Sequence, residues 1–103
     1  MNLEKNRKTA DLLTVCFKAG KAVKGFDPVI EALKKGAVFC VITASDASAK
    51  TVKEAEFYCG RYGAEHLHSG LSKEDIKKLS GKPTAVIAVC DRGFADGFAK
   101  ILR

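Results

Sequence analysis

Three lysines beside two glycines are the feature of this sequence that most clearly suggests a binding chemistry. Lys18, Lys21 and Lys24 alternate with Gly20 and Gly25 in a short turn. Glycine allows backbone N–H groups to come close to a phosphate, and lysine supplies the opposite charge. We therefore predict that this turn binds a partner that carries phosphate groups. The alternative is that the lysines are merely exposed to solvent.

The residues that follow this turn predict the start of a helix. Asp27 is predicted to be the N-cap and Pro28 to occupy the first helical position, where its missing N–H costs nothing. The positive dipole end of such a helix adds to the lysine charges. Phe26 lies in the turn, where its ring can stack on an exposed base or fold back into the core. The sequence favours neither interpretation of Phe26.

Residues that could support catalysis or metal binding are sparse. His66 and His68 share one face of a predicted strand. No cysteine or carboxylate pattern nearby supplies a third ligand, so we predict no metal site. Asp46 and Asp91 each follow a buried strand and are interpreted as helix caps and turn formers. No Ser/His/Asp or Cys/His arrangement and no phosphate-binding loop motif is present. The sequence therefore predicts a protein that is not an enzyme and needs no cofactor.

The four cysteines have irregular spacing. The gaps between Cys16, Cys40, Cys59 and Cys90 are too long for a CxxC pair or a zinc finger. Cys40 and Cys90 lie in apolar runs, where a free thiol behaves as a small hydrophobic group. We predict that all four thiols are reduced and structural, and that the protein is a monomer.

The composition favours a polyanionic partner. The 103 residues include 18 Lys and Arg against 12 Asp and Glu, which gives a net charge of +6. Binding of such a chain to nucleic acid is favoured by the release of counterions from the phosphates. No apolar run approaches the roughly 20 residues of a membrane span, and the N-terminus lacks the apolar core of a signal peptide. We expect a cytoplasmic protein without a membrane partner.

Helices and strands alternate along the chain. Apolar periodicity and capping residues predict helices near residues 8–19, 27–36, 48–62, 72–80 and 91–103. Strands are predicted near 21–24, 38–43, 66–68 and 85–90, and the second and fourth are continuous apolar runs typical of strands covered on both faces. This alternation predicts an α/β fold, a three-layer α/β/α sandwich with a small four-stranded mixed sheet. We expect one domain that spans residues 1–103.

From about residue 10 to its end, the chain resembles the L7Ae/L30e superfamily of ribosomal and kink-turn RNA-binding proteins. Within that superfamily it resembles the bacterial YlxQ-like branch most. The segments that carry the resemblance occur in family order with nearly family spacing. They are Ala19-Gly20-Lys21 through Lys24-Gly25, Ala44-Ser45-Asp46-Ala47-Ser48, Thr51 to Phe57-Tyr58, Gly81-Lys82 and Asp91-Arg92-Gly93-Phe94-Ala95.

The resemblance implies a ribosomal-protein-like domain that binds structured RNA, such as a kink-turn or a related internal loop. Its partner would be ribosomal or other non-coding RNA, with the ribosome as one candidate location. The family's two RNA-reading loops match Lys21–Glu31 and His66–Ser72 here. Together with the basic turn, the implied RNA-binding residues are Lys18, Gly20, Lys21, Lys24, Gly25, Phe26, Asp27, Glu31, His68, Ser69 and Gly70.

The chain departs from the family at the motif Gly-x-Asn-Glu-x-x-Lys, with which kink-turn binders enter this helix. Gly25, Asp27, Pro28 and Glu31 occupy these positions. Aspartate accepts a hydrogen bond from guanine but cannot donate one as asparagine does. Glu31 reverses the charge of a lysine that would face phosphate. RNA binding is therefore predicted with its kink-turn specificity open, and a protein-interaction domain of the same fold is the alternative.

Overall fold

The computed structural model describes residues 3–103, which form a four-stranded sheet with helices on both faces. The elements are α1 (Leu3–Lys18), β1 (Ala22–Lys24), α2 (Phe26–Lys34), β2 (Cys40–Thr43), α3 (Ala49–Tyr62), β3 (Glu65–His68), α4 (Lys73–Ser80), β4 (Val86–Val89) and α5 (Arg92–Leu102). Within these residues, no helix combines the length and the apolar composition needed to cross a membrane. The predicted alternation of helices and strands is confirmed.

The sheet is mixed, and its strand order is β1-β4-β2-β3. β4 lies between β1 and β2 and is antiparallel to both, with Ile87 opposite Lys24 and Val86 opposite Thr43. β3 pairs with β2 in the parallel direction and forms one edge, while β1 forms the other. The predicted small mixed sheet of four strands is therefore confirmed.

Two apolar layers cover the two faces of the sheet. Helices α1, α4 and α5 pack on one face around the fully buried Phe98, and α2 and α3 pack on the other around Leu33. Alternate residues of β2 point to opposite faces, so Ile42 joins the first layer and Val41 the second. All four residues of β2 and of β4 are buried. This burial explains the continuous apolar runs in the sequence.

Side-chain caps define the starts of three helices. Ser48 caps α3 and Asp91 caps α5 through hydrogen bonds to Thr51 N–H and Phe94 N–H, and Ser72 and Asp75 form a capping box on α4. The backbone N–H of Ser72 donates to Asp75 and lowers the pKa of that carboxyl group. The predicted capping box and the predicted capping role of Asp91 are confirmed.

Two predicted helix starts are wrong. α1 begins at Leu3, about five residues before the predicted start at Lys8, because its first turn is exposed and lacks the apolar spacing that marks a buried helix face. α2 begins at Phe26 with Gly25 as its N-cap, so that Asp27 is not the cap and Pro28 occupies the third helical position. Gly25 adopts φ 97°, a left-handed value that favours glycine and turns the chain directly from β1 into the helix.

The strand directions give the sheet two distinct ends. We call the end where β1, β2 and β3 finish and β4 begins the Gly25 end, and the opposite end the Lys21 end. α2, α3 and α4 each follow a strand that finishes at the Gly25 end, so their positive dipole ends meet there. α5 follows β4 and begins at the Lys21 end, and Arg103 beyond it forms two hydrogen bonds with the Glu65 carboxylate at the start of β3.

The cysteines are free thiols, and three of them are buried. Burial raises the pKa of Cys16 and Cys59 to about 11 and that of Cys40 to about 12, with small further contributions from neighbouring acidic groups at Cys16 and Cys40. Cys90 is half-buried, and its pKa is raised by burial as well. The predicted reduced state fits these positions, since a protonated, buried thiol reacts slowly.

The buried thiols make a prediction about stability at alkaline pH. A Cys40 pKa of about 12 in the folded protein, against an ordinary value of 9.0, means that the thiol stabilises the fold fully below about pH 9 and that this contribution is lost as the pH rises toward 12. Cys40→Ala should cost about 1–2 kcal/mol at pH 7 through lost packing, and its unfolding free energy should fall less steeply above pH 9 than that of the wild type. Urea denaturation at several pH values measures both effects. Parallel slopes for the two proteins would contradict the prediction.

Candidate nucleic-acid interface

The loop that enters α2 is fixed to the start of β4. The Gly25 N–H donates to the Val86 carbonyl and to the Thr84 hydroxyl oxygen, both at 3.1 Å. The Thr84 hydroxyl in turn donates to the Val86 carbonyl at 3.0 Å. The connection between α4 and β4, residues 81–85, therefore lies directly beside the start of α2. These two segments form the first part of the candidate interface.

α2 begins without a side-chain cap, unlike α3, α4 and α5. Its N-cap is Gly25, which has no side chain, and within residues 3–103 no other side chain accepts a hydrogen bond from the first turn. Pro28 lacks an N–H, so Phe26 and Asp27 carry the first backbone donors of the helix. Uncapped N–H groups and the positive helix end together attract an anion, and phosphate is the common case in proteins.

Phe26 folds back toward the core. Its ring is partly buried and packs against the apolar layer formed by α2, α3 and the sheet. The buried Val29, Ile30 and Leu33 continue that contact along the helix. Of the two interpretations of Phe26, the structure favours the one in which the ring anchors the start of the helix.

Two exposed carboxylates flank the start of α2. Asp27 and Glu31 are separated by one helical turn, the i, i+4 spacing that places both on one side of the helix. Among residues 3–103 neither side chain has an ion-pair partner. Their negative charge therefore lies next to the N–H groups that would attract a phosphate.

Lys24 is committed to a contact inside the protein. Its side chain is half-buried, and its Nζ donates a hydrogen bond to the carbonyl of Ser80, the last residue of α4. The same amine lies 6.0 Å from the centre of the Phe17 ring. A cation at the C-terminus of a helix is favourable because the last carbonyls carry partial negative charge. Lys24 therefore connects β1 to α4 and is not free to contact a ligand in this arrangement.

The remaining residues of the basic turn lie at the other end of β1. Lys18, Gly20 and Lys21 are exposed, and the Lys21 carbonyl accepts a hydrogen bond from Cys90 N–H at 2.8 Å. Lys21 and Gly25 are four residue steps apart along the extended chain, which is about 13 Å at 3.3 Å per step. The residues of the predicted turn therefore form two separate groups. Lys18, Gly20 and Lys21 precede β1, and Lys24 and Gly25 lie at its end.

The second predicted RNA-binding loop, residues 66–72, reaches the Gly25 end of the sheet. It lies at the edge formed by β3, opposite the edge formed by β1. β3 is three strands from β1, or about 14 Å at the usual strand spacing. Ser69 is buried, and its hydroxyl donates to the Thr43 carbonyl and accepts from Leu71 N–H. Gly70 lies against the Asn6 side chain, where a Cβ would clash. Of His68, Ser69 and Gly70, only His68 has an exposed side chain.

The loop at residues 81–85 is the part of this interface that the sequence did not reveal. Its residues Lys82 and Pro83 are exposed, while Thr84 is buried by its contact with Gly25. The sequence contained one signal, since Gly81-Lys82 belongs to the segments that carry the family resemblance. The position of this loop depends on the antiparallel pairing of β1 with β4, which joins segments about 65 residues apart.

The fold and the exposed helix start define a class of small α/β/α domains, and comparison with known proteins identifies it. Residues 7–98 match the model of the Ribosomal protein L7Ae/L30e/S12e/Gadd45 family. The chain belongs to this family, as its sequence motifs predicted.

Two curated relatives carry the same name. The chain is 28% identical over 95 residues to RNA-binding protein YlxQ of Enterococcus faecium, which covers 92% of this chain and 91% of that protein. It is also 28% identical over 91 residues to RNA-binding protein YlxQ of Bacillus subtilis (strain 168), with 88% and 91% covered. The predicted similarity to the YlxQ-like branch is confirmed.

Solved structures confirm the three-layer fold. A protein of unknown function from Bacillus halodurans C superposes with a TM-score of 0.81 at 28% identity, covering 89% of this chain and 93% of that one. The Giardia lamblia 15.5kD RNA binding protein superposes with a TM-score of 0.79 at 19% identity, covering 98% and 87%. The second likeness concerns the fold alone.

The contact of Lys24 makes a prediction about stability. Lys24→Ala removes the hydrogen bond to Ser80 and the cover over Phe17, so it should lower the free energy of unfolding by about 1 kcal/mol. The matched change Lys21→Ala, at an exposed site, should stay within about 0.5 kcal/mol of the wild type. Chemical denaturation of both variants measures the difference. Equal and small losses would mean that Lys24 is not part of the structural framework.

Proposed function

We propose that this protein binds structured RNA at the Gly25 end, with the uncapped start of α2 as the centre of the interface, and that it catalyses no reaction. The observation that carries the proposal is the start of α2 itself. Its N-cap has no side chain, no side chain of the described part of the chain accepts a hydrogen bond from its first turn, and residues 81–85 lie beside it. An RNA phosphate can accept hydrogen bonds from these donors and be attracted by the helix dipole. Relatives named as RNA-binding proteins support this class of ligand.

The charge around this end supports a phosphate ligand. Exposed lysines stand near the start of three segments that meet there: Lys50 on α3, Lys73 on α4 and Lys82 in the loop beside Gly25. The net charge of +6 favours association with a polyanion over the whole surface. The carboxylates of Asp27 and Glu31 repel phosphate, so they restrict the positions near α2 at which a phosphate can bind.

The exposed Lys18 and Lys21 extend the proposed interface along β1. Lys21 lies about 13 Å from Gly25 along the extended chain, a span that one folded RNA covers with its backbone. Ser69 and Gly70 are left out of the proposed contact set because their polar groups serve contacts within the protein. Lys24 is left out for the same reason.

We further propose that the protein is cytoplasmic and monomeric and that the RNA it binds is ribosomal or another non-coding RNA. The two relatives that are named RNA-binding proteins support RNA as the partner. The alternative function is a domain that acts only through protein partners. RNA binding at low salt supports the first function, and its absence supports the alternative.

Lysine substitutions test the position of the interface. Lys21→Ala and Lys82→Ala should each weaken binding to an RNA hairpin with an internal loop. Each should also reduce the slope of log affinity against log salt by about one unit for a lost phosphate contact. Fluorescence anisotropy titrations at several salt concentrations measure both quantities.

The matched control is Lys100→Ala. Lys100 is exposed on α5 close to Arg103, which binds Glu65 at the opposite edge and the opposite end of the sheet from Gly25. It should retain nearly wild-type affinity and salt slope. Equal losses in all three variants would mean a diffuse electrostatic surface. Absence of RNA binding by the wild type at low salt would overturn the proposal in favour of a protein partner.

The two carboxylates on α2 test the kink-turn part of the proposal. Asp27 is not a cap, so Asp27→Asn keeps the helix start and adds an amide donor that can contact a base, at a cost of about 0.3–1 kcal/mol in helix-dipole interaction. Glu31→Lys replaces a repulsive charge with an attractive one. The double variant should bind a standard kink-turn RNA more tightly by on the order of 1 kcal/mol, roughly fivefold.

Two controls separate specific recognition from added charge. The variant Glu4→Lys with Asp11→Asn makes the same change in net charge on exposed positions of α1, on the other face of the sheet. A duplex of equal length without the internal loop reports non-specific binding. If the α1 variant gains as much, or if the wild type already binds the kink-turn as tightly as the double variant, the two carboxylates do not limit recognition.

A further inference from the structure

Three side chains with metal-binding atoms meet where α3 covers β3. Glu56 lies on α3, and His66 and His68 lie on the face of β3 that points toward this helix. One carboxylate oxygen and one nitrogen from each ring all lie within 4.8 Å of one another. The third ligand that the sequence did not reveal is therefore supplied by a helix ten residues earlier in the chain.

A hydrogen bond to strand β2 fixes the orientation of the His66 ring. Its Nε2 is 3.0 Å from the hydroxyl of Thr43, a buried residue of the neighbouring strand β2. Its Nδ1 faces the opposite way and is 4.0 Å from a carboxylate oxygen of Glu56. With an Nε2–H donating to the Thr43 hydroxyl, the lone pair of Nδ1 points toward Glu56. Histidine ligands of metals characteristically donate their second ring N–H to a hydrogen-bond acceptor, and the Thr43 hydroxyl oxygen can take that role here.

We propose that Glu56, His66 and His68 bind one zinc ion, with the fourth coordination position open to water or to a donor atom of another molecule. Two imidazole nitrogens and one carboxylate form a donor set that suits zinc. Zinc bonds of about 2.0–2.1 Å in a tetrahedral site place ligand atoms about 3.4 Å apart, so the three side chains need to close by about 1 Å. The glutamate and His68 are exposed and have the freedom to make this movement, while the buried His66 provides the fixed point.

The site is open to solvent on the side of His68. The His66 side chain is 9% exposed and that of Glu56 is 54% exposed, so an ion reaches the buried nitrogen from the surface. The ring centres of the two histidines are 4.3 Å apart at an angle of 60°. This arrangement places one nitrogen of each ring and a Glu56 oxygen within reach of a single ion. The site lies at the β3 edge, three strands from β1.

Zinc titration of protein purified without a histidine tag tests the proposal. After treatment with EDTA and its removal, competition with a chromogenic chelator should give one zinc ion per chain at neutral pH. Glu56→Gln and His68→Ala change exposed side chains and should each lower the affinity about tenfold or more. Glu54→Gln, on the same helix but on a different side, is the matched control and should bind as the wild type does.

Cobalt substitution identifies the donor atoms. Nitrogen and oxygen ligands give visible cobalt bands without the near-ultraviolet charge-transfer band of a thiolate ligand, whereas binding by the half-buried Cys90 would produce that band. The expected spectrum lacks the thiolate band and disappears in His68→Ala. The proposal is overturned if the wild type binds no zinc, if Glu56→Gln and His68→Ala bind with unchanged affinity, or if the thiolate band is present. None of these outcomes depends on RNA binding.

Discussion

The hydrogen bonds of the Gly25 N–H to Val86 and Thr84 are the contact on which the rest of the candidate interface depends. They join the end of the first strand to the start of the fourth, and they require a backbone with φ 97°, which glycine adopts without strain. Because the N-cap is a glycine, no side chain covers the first turn of α2. The same residue therefore makes the connection between strand and helix and leaves the first backbone donors of α2 without a side-chain cap.

The direction of the strands decides what surrounds these donors. Three strands finish at the Gly25 end, and the helices that follow them begin there, so their dipoles add with the same sign. Two of these helices have their first turns satisfied by Ser48 and by the pair of Ser72 and Asp75. α2 is the exception among them. An anion that approaches this end meets the positive ends of three helices, of which only α2 lacks a side-chain cap among the described residues.

Packing divides the basic residues into those that build the protein and those that remain exposed. Lys24 follows the period-two alternation of β1 and points toward α4, where its amine meets the Ser80 carbonyl. Lys21 precedes the strand and remains in solvent. A similar division separates Ser69 and His68, since the serine is buried by hydrogen bonds and the histidine is exposed. Residue type does not distinguish the two lysines, and local sequence does not show that Ser69 is buried beside an exposed His68, which limits any list of contact residues drawn from the sequence.

The sequence by itself determined the order of helices and strands, the two buried strands, the capping box at Ser72 and the family, because these depend on local periodicity, capping chemistry and short motifs. The tertiary structure decided what depends on distant contacts. The pairing of β1 with β4 made Gly25 the cap in place of Asp27, since a backbone hydrogen bond to β4 fixes where the helix starts. The packing of α3 on β3 brought Glu56 to the two histidines. Both results follow from strand order, which local sequence patterns do not encode.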